Sequence, residues 1–269
     1  MWRVSRGGRQ IVLVGVIEGV SKDTRWSPAS LETALARADR LVFPDTQEVA
    51  ASPFAMIGLL LKWRRQGTLP NGVTLAQLLS SDQFARLAAL QRRGLVPSGF
   101  ERRHPLHLAL ALRARVKGSG YGPDGSEIAR CIARRHRIAI VPLHSMQAKP
   151  LAAELFGSPP SQHVPCLMAA VSLAEAGPTA VRERSNAWAQ QRVAESLGSV
   201  AETVYRACWP AGSSYDITPL TGLTGQIERL AADSGLTVGV VSLASLGAPG
   251  GVLDRLASDG YEIDGPAWR

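Results

Sequence analysis

Gln10-Ile11-Val12-Leu13-Val14-Gly15-Val16-Ile17-Glu18 is the stretch that decides the fold class of this chain. A near-continuous aliphatic and β-branched run without polar alternation reads as a strand covered on both faces, the kind found inside parallel sheets. Trp2 to Ser5 stands before it, and Arg6-Gly7-Gly8-Arg9 between the two predicts a hairpin turn. Further strand signals lie at 40–45, 137–143, 236–243 and, more briefly, 261–264.

Between the strands the apolar spacing is helical. Ser27-Pro28 offers a cap and a first-turn proline ahead of 30–38, and Asp124 with Glu127 resembles a capping box ahead of 128–135. Helical spacing also covers about 53–66, 74–93, 105–117, 145–156, 162–176, 178–208 and 222–233, with Gly94, Gly118, Gly177 and Gly235 as stops. Short buried strands separated by helices define an α/β class. The expected architecture is a central, mostly parallel sheet built from two βαβ-like halves, N- and C-terminal, with large helical insertions at about 50–136 and 145–233 of a single domain over 1–269. The two halves echo each other, because each opens on a strand ending in Gly-x-x-polar: Gly15 to Glu18 and Gly239 to Ser242. In a parallel sheet both polar residues fall at strand carboxyl ends, where α/β folds place their sites.

Composition narrows the function classes. With 269 residues, 45% hydrophobic and 19% charged, the chain has enough apolar material for a core and is neither disordered nor fibrous. The longest apolar run, 54–61, is far below the roughly 20 residues a membrane helix needs. Cys131, Cys166 and Cys208 lie far apart with no CxxC pattern, so they read as core thiols, and a zinc ribbon is excluded. The basic charge is concentrated: residues 86–137 carry twelve Arg or Lys against Glu101, Asp124 and Glu127, while the whole chain is +8. Phe100 and Tyr121 are the segment's aromatics and no nucleic-acid motif is present, so this segment suits an acidic partner or a solvated helix face better than nucleic acid.

Several motifs then come in one order. They are Trp2-Arg3-Val4, the Gly15 strand exit, Ala38-Asp39-Arg40-Leu41-Val42, Gly122-Pro123-Asp124 at a helix start, Arg184 with Trp188, and a final strand, glycine loop, helix and Gly260-Tyr261. Their order and spacing resemble the TraB/GumN family, which includes the Tiki-like metalloproteases, over nearly the whole chain. The resemblance implies a hydrolase-like α/β protein that binds a divalent metal through histidines in two Gly-x-x-His motifs, with acidic residues nearby. Here those positions are Glu18 and Ser242. The family's glutamate after Leu-Val is Pro44, with Asp45 beside it, and its Leu-Glu after the middle strand is Leu143-His144. Arg184 and Trp188 are kept, with the asparagine shifted to Asn186.

A hydroxyl is a poor substitute for imidazole, so these losses point to a pseudoenzyme with no cofactor, binding a protein partner or small ligand in a remnant cleft of Glu18, Asp45, His144, Arg184, Trp188 and Ser242. The alternative is a metal-dependent hydrolase or peptidase with a rewired site, in which Glu18, Asp45 and His144 hold Mn, Co or Zn. Other candidates carry less. His104-Pro105-Leu106-His107 has no Glu or Cys nearby. Cys131 and His136, five apart on a helix, do not face each other. Gly247-Ala248-Pro249-Gly250-Gly251 lacks both the P-loop lysine and the Rossmann spacing. Family members are usually exported, whereas the opening residues lack a secretory signal pattern. The expected location is therefore cytoplasmic, or periplasmic if a leader is removed.

Overall fold

The computed structural model describes residues 1–43, 48–50, 67–70, 72–116, 120–141, 145–147, 157–208 and 220–269. Asp45 and His144, with Pro44 and the 53–66 helix, lie outside them. Six strands form one sheet: β1 (Trp2–Arg6), β2 (Arg9–Val16), β3 (Arg40–Val42), β5 (Ala139–Val141), β7 (Thr237–Ser242) and β8 (Glu262–Asp264). Their order is β5-β3-β7-β2-β1-β8. β5, β3, β7 and β2 run parallel, and β1 is antiparallel to both β2 and β8. The fold class read from the sequence is the one observed. The two halves interleave, because β7 from the C-terminal half slots between β2 and β3 of the N-terminal half.

The β1–β2 hairpin forms as read, with Gly7 and Gly8 both at positive φ (56° and 80°), as a two-residue turn matched to strand twist requires. Along β2, Ile11 and Leu13 belong to the core on one face of the sheet, and Val12 and Val14 to the core on the other. The first core is closed by the helices Leu220–Ala232, Leu243–Gly247 and Val252–Ser258, the second by Ala29–Ala36 and Gly125–His136. This two-sided burial is why the strand reads as an unbroken apolar run. A third core is mostly helical, made chiefly by Ser81–Arg92, Pro105–Val116, Val164–Ala176 and Val200–Ala207, with Phe100 and the loop residues Leu69 and Val96 among its members.

Several expectations are corrected. Residues 145–147, read as the start of a helix, form β6 (Ser145–Gln147), which pairs in parallel with β4 (Glu48–Ala50). A backbone partner overrides helical propensity there. The 178–208 stretch is three helices, Pro178–Ala189, Val193–Leu197 and Val200–Ala207. Gln191 at φ 60° stops the first, and Ser199 caps the last by accepting the Glu202 N–H. Ser80 divides 74–93 in the same way, accepting the Gln83 N–H. β7 runs directly into the helix Leu243–Gly247, where a loop was expected.

Cys166 and Cys208 form a disulfide rather than staying thiols, and Cys131 is exposed. Cysteine spacing in sequence does not reveal that two helix ends 42 residues apart meet. No single helix among the described residues is long and apolar enough to cross a membrane.

Candidate functional site

The exit of β2 is fixed by side chains from one face of the helix Pro178–Ala189. Trp188 Nε1 donates to the Gly15 carbonyl (2.9 Å), Arg184 Nη1 to the Glu18 carbonyl (2.7 Å), and Ser185 Oγ accepts the Ser21 N–H (3.1 Å). Gly15, Glu18 and Ser21 are spaced by three, so one helical face stitches the strand end and its following loop at regular intervals. Arg184 is 2% exposed, which a charge tolerates only with partners. Its Nε donates to Glu202 Oε2 at 2.7 Å, Nη2 lies 2.5 Å from the same oxygen, and the guanidinium stacks on the Tyr205 ring.

Tyr205 and Tyr121 in turn press on Gly19, whose φ of 64° suits glycine and where a Cβ would run into the Tyr205 hydroxyl. Burial, reinforced by Tyr205, pushes the Tyr121 phenol up to about 12. Glu202, Tyr205 and Ser185 carried no signal in the sequence. The partners that tie them to this site lie 18 residues or more away along the chain, and such residue types are ordinary on a helix face.

Strand register sets the other positions. Val16 pairs with Ser242, so the exits of β2 and β7 lie side by side, with β3 on the far side of β7. The Glu18 side chain is exposed beyond β2. Ser242 Oγ accepts the Ser245 N–H at 3.0 Å and donates to Ser245 Oγ at 3.0 Å, capping Leu243–Gly247. A carboxylate and a capping hydroxyl do not supply the nitrogen donors that two Gly-x-x-His motifs would bring to a transition metal. Among the described residues no cluster of three or more His, Cys, Asp or Glu is placed to hold an ion.

Against this exit lies a cavity of about 120 Å³. Its walls include Trp2, Trp26, Trp188, Val14 and Leu243, with Ser27, Ser30 and Gln191 as the polar side chains. Trp26 and Trp188 meet edge to face at 4.9 Å. Gly15 and Gly125 let the walls close. A Cβ on Gly15 would come within 2.6 Å of Leu243 Cδ1 and 2.9 Å of the Trp2 ring, and one on Gly125 within 2.6 Å of Val16 Cγ1. Trp2 is 1% exposed and donates Nε1 to the Pro266 carbonyl, which ties the two chain ends across the cavity floor. Trp2, Gly15 and Trp188 from those motifs, with Gly125, the residue after Gly122-Pro123-Asp124, thus line one cavity.

A model of the TraB/PrgY/gumN family matches residues 1–264. The chain belongs to that family. No curated protein and no solved structure matches it. In this family member the basic segment 86–137 spends part of its charge internally. Arg86 pairs with Glu175, Arg135 with Glu32, and Arg113 and Arg130 stack on Tyr205 and Phe43.

Proposed function

We propose that this TraB/PrgY/gumN protein is a non-catalytic member that binds a partner or small ligand in the cleft at the exit of β2. What carries this reading is how the family positions are used. Arg184 and Trp188 hold backbone carbonyls, Ser242 caps a helix, and the neighbouring cavity is walled by tryptophans and aliphatic side chains. Such a cavity offers burial and shape, the ingredients of binding.

The runner-up, a hydrolase with Glu18, Asp45 and His144 as ligands, has one observation in its favour. β3 pairs with β5, and β4 with β6, so the stretches carrying Asp45 and His144 are each flanked by mutually paired strands. Metal content decides between the two. After dialysis with Zn, Mn or Co the protein is expected to retain no stoichiometric ion and to show no metal-stimulated peptidase activity. One ion per chain, lost in Glu18→Ala or His144→Ala, would overturn the non-catalytic reading and promote the hydrolase. Glu18→His with Ser242→His is expected to gain metal-dependent stabilisation, about 2.7 kcal/mol at 100 times Kd.

The Cys166–Cys208 disulfide supports an oxidising, exported location over the cytoplasm, since structural disulfides persist there. Thiol titration of protein from fractionated cells tests this, with one free thiol expected, Cys131.

A further inference from the structure

Gln191 sits at the mouth of the tryptophan-walled cavity in a conformation that its side chain makes unfavourable. Its φ is 60°, in the left-handed region where glycine is preferred. It ends the helix Pro178–Ala189, with Gln191 N–H bonded to the Trp188 carbonyl and Arg192 N–H to the Ala187 carbonyl, a helix stop in which glycine is the usual occupant. Gln191 is among the residues lining the cavity, as is Trp188, and it is exposed, so its carboxamide, both a donor and an acceptor, is free to reach a ligand at the opening. The space is small: a dry apolar cavity of roughly 150 Å³ takes one benzene ring, and this one, at about 120 Å³, has room for no more than a single ring, whose substituent must project past its walls. Trp26 and Trp188 present ring edges and faces, which favour a flat aromatic guest. Among the described residues no charged side chain lines the cavity, and burial lowers the Met1 α-amino group on its wall to about 6, so above that pH an ionised ligand would lose hydration without gaining a charged partner.

Building on the non-catalytic reading, we propose that the cavity binds a neutral, single-ring aromatic molecule bearing one hydrogen-bonding substituent, with the ring among Trp2, Trp26 and Trp188 and the substituent paired with the Gln191 carboxamide. Neutrality follows from the wall chemistry, ring size from the volume, and the substituent from the amide at the mouth.

The test uses three probes of similar size: benzamide, toluene and benzoate. Tryptophan fluorescence and ligand-observed NMR are followed for the parent and two variants. Benzamide is expected to bind saturably and more tightly than toluene, and benzoate more weakly than both. Gln191→Gly relieves the backbone, so its melting temperature without ligand rises by about 1–3 °C, while benzamide affinity falls about tenfold and toluene affinity stays the same.

Arg137 is the control. It ends Gly125–His136 at φ 57° in the same kind of stop and is not among the residues lining the cavity, so Arg137→Gly should gain stability with benzamide affinity unchanged. Absence of saturable binding by all three probes overturns the proposal, as does benzoate binding tightest or benzamide affinity that survives Gln191→Gly. Metal content measured on the same samples keeps the two readings apart. Metal-free protein that ignores the probes loses this inference alone, and a stoichiometric ion removes the non-catalytic reading whatever the probes do.

Discussion

The exit of β2 and the helical core around Val164–Ala176 are held by different means, and the contrast shows where side-chain hydrogen bonds, rather than apolar packing, fix the backbone. At the strand exit, polar side chains bind backbone: Arg184, Ser185 and Trp188 fix Gly15 to Ser21, and one buried ion pair anchors the set. The helical core has a disulfide and close-packed aliphatic side chains, with three imidazoles, His104, His107 and His163, gathered at its edge. Polar fastening defines a geometry to within a fraction of an ångström, whereas apolar packing supplies bulk stability and tolerates adjustment. The strand exit beside the cavity uses the first, and the helical core uses the second.

The sharpest way to break that contrast is to remove its anchor. Arg184→Ala leaves the Glu202 carboxylate, 4% exposed as a residue, buried without its cation and the Glu18 carbonyl without its donor. A loss of about 3–5 kcal/mol in urea unfolding is expected. The double replacement Arg184→Met with Glu202→Leu should recover much of it, because no charge is then stranded.

In the helical core the comparable change is Cys166→Ala with Cys208→Ala. Opening a loop with a separation of 42 residues should cost about 2–4 kcal/mol, while ligand or probe affinity at the β2 exit stays nearly constant. A large drop in affinity would mean that the two regions are not independent.

Smaller effects refine the comparison. Gly15→Ala drives a methyl between Leu243 and Trp2 and should cost about 1–3 kcal/mol while shrinking the cavity, measurable as lost benzamide binding. The histidines respond to pH. Burial, with His163 and His107 adding, lowers His104 to about 4, and burial with Arg103 lowers His107 to about 4. His104 Nδ1 accepts the Leu106 N–H, which a ring unprotonated at that nitrogen allows. Their folded values lie below the unfolded value near 6.5, so the unfolded chain takes up protons first. Stability is complete above about pH 6.5, falls as pH drops towards 4, and levels off below. Solvent screening of these half-buried rings limits the total to about 1–2 kcal/mol. Unfolding midpoints across pH 4–7 measure it, and His104→Gln with His107→Gln should flatten the profile. Smallest is Ser242→Ala, which removes a cap from a short helix and should cost about 1 kcal/mol.

Much of the frame was legible before any coordinates. The aliphatic run from Ile11, the Gly7-Gly8 turn and the strand at β7 each carry their periodicity locally, and the family motifs fixed their order. Arg184 and Trp188 were legible as a pair because four residues make one helical turn. Their targets were not, since a carbonyl at Gly15 or Glu18 has no sequence signature. The same holds for β6, whose three residues look helical and become a strand only because β4 runs beside them.

By itself the sequence determined the class of the fold, the position of its central strands and the presence of Glu18 and Ser242 at the two Gly-x-x-polar strand exits, because these depend on side-chain type and short-range spacing. The tertiary structure alone decided that β7 enters between β2 and β3, that Cys166 reaches Cys208, that Glu202 neutralises Arg184, and that tryptophans from positions 2, 26 and 188 enclose one cavity. Each of those is a meeting of residues far apart along the chain. Such meetings are chosen by the summed packing of the whole molecule, to which any local stretch contributes only a small share.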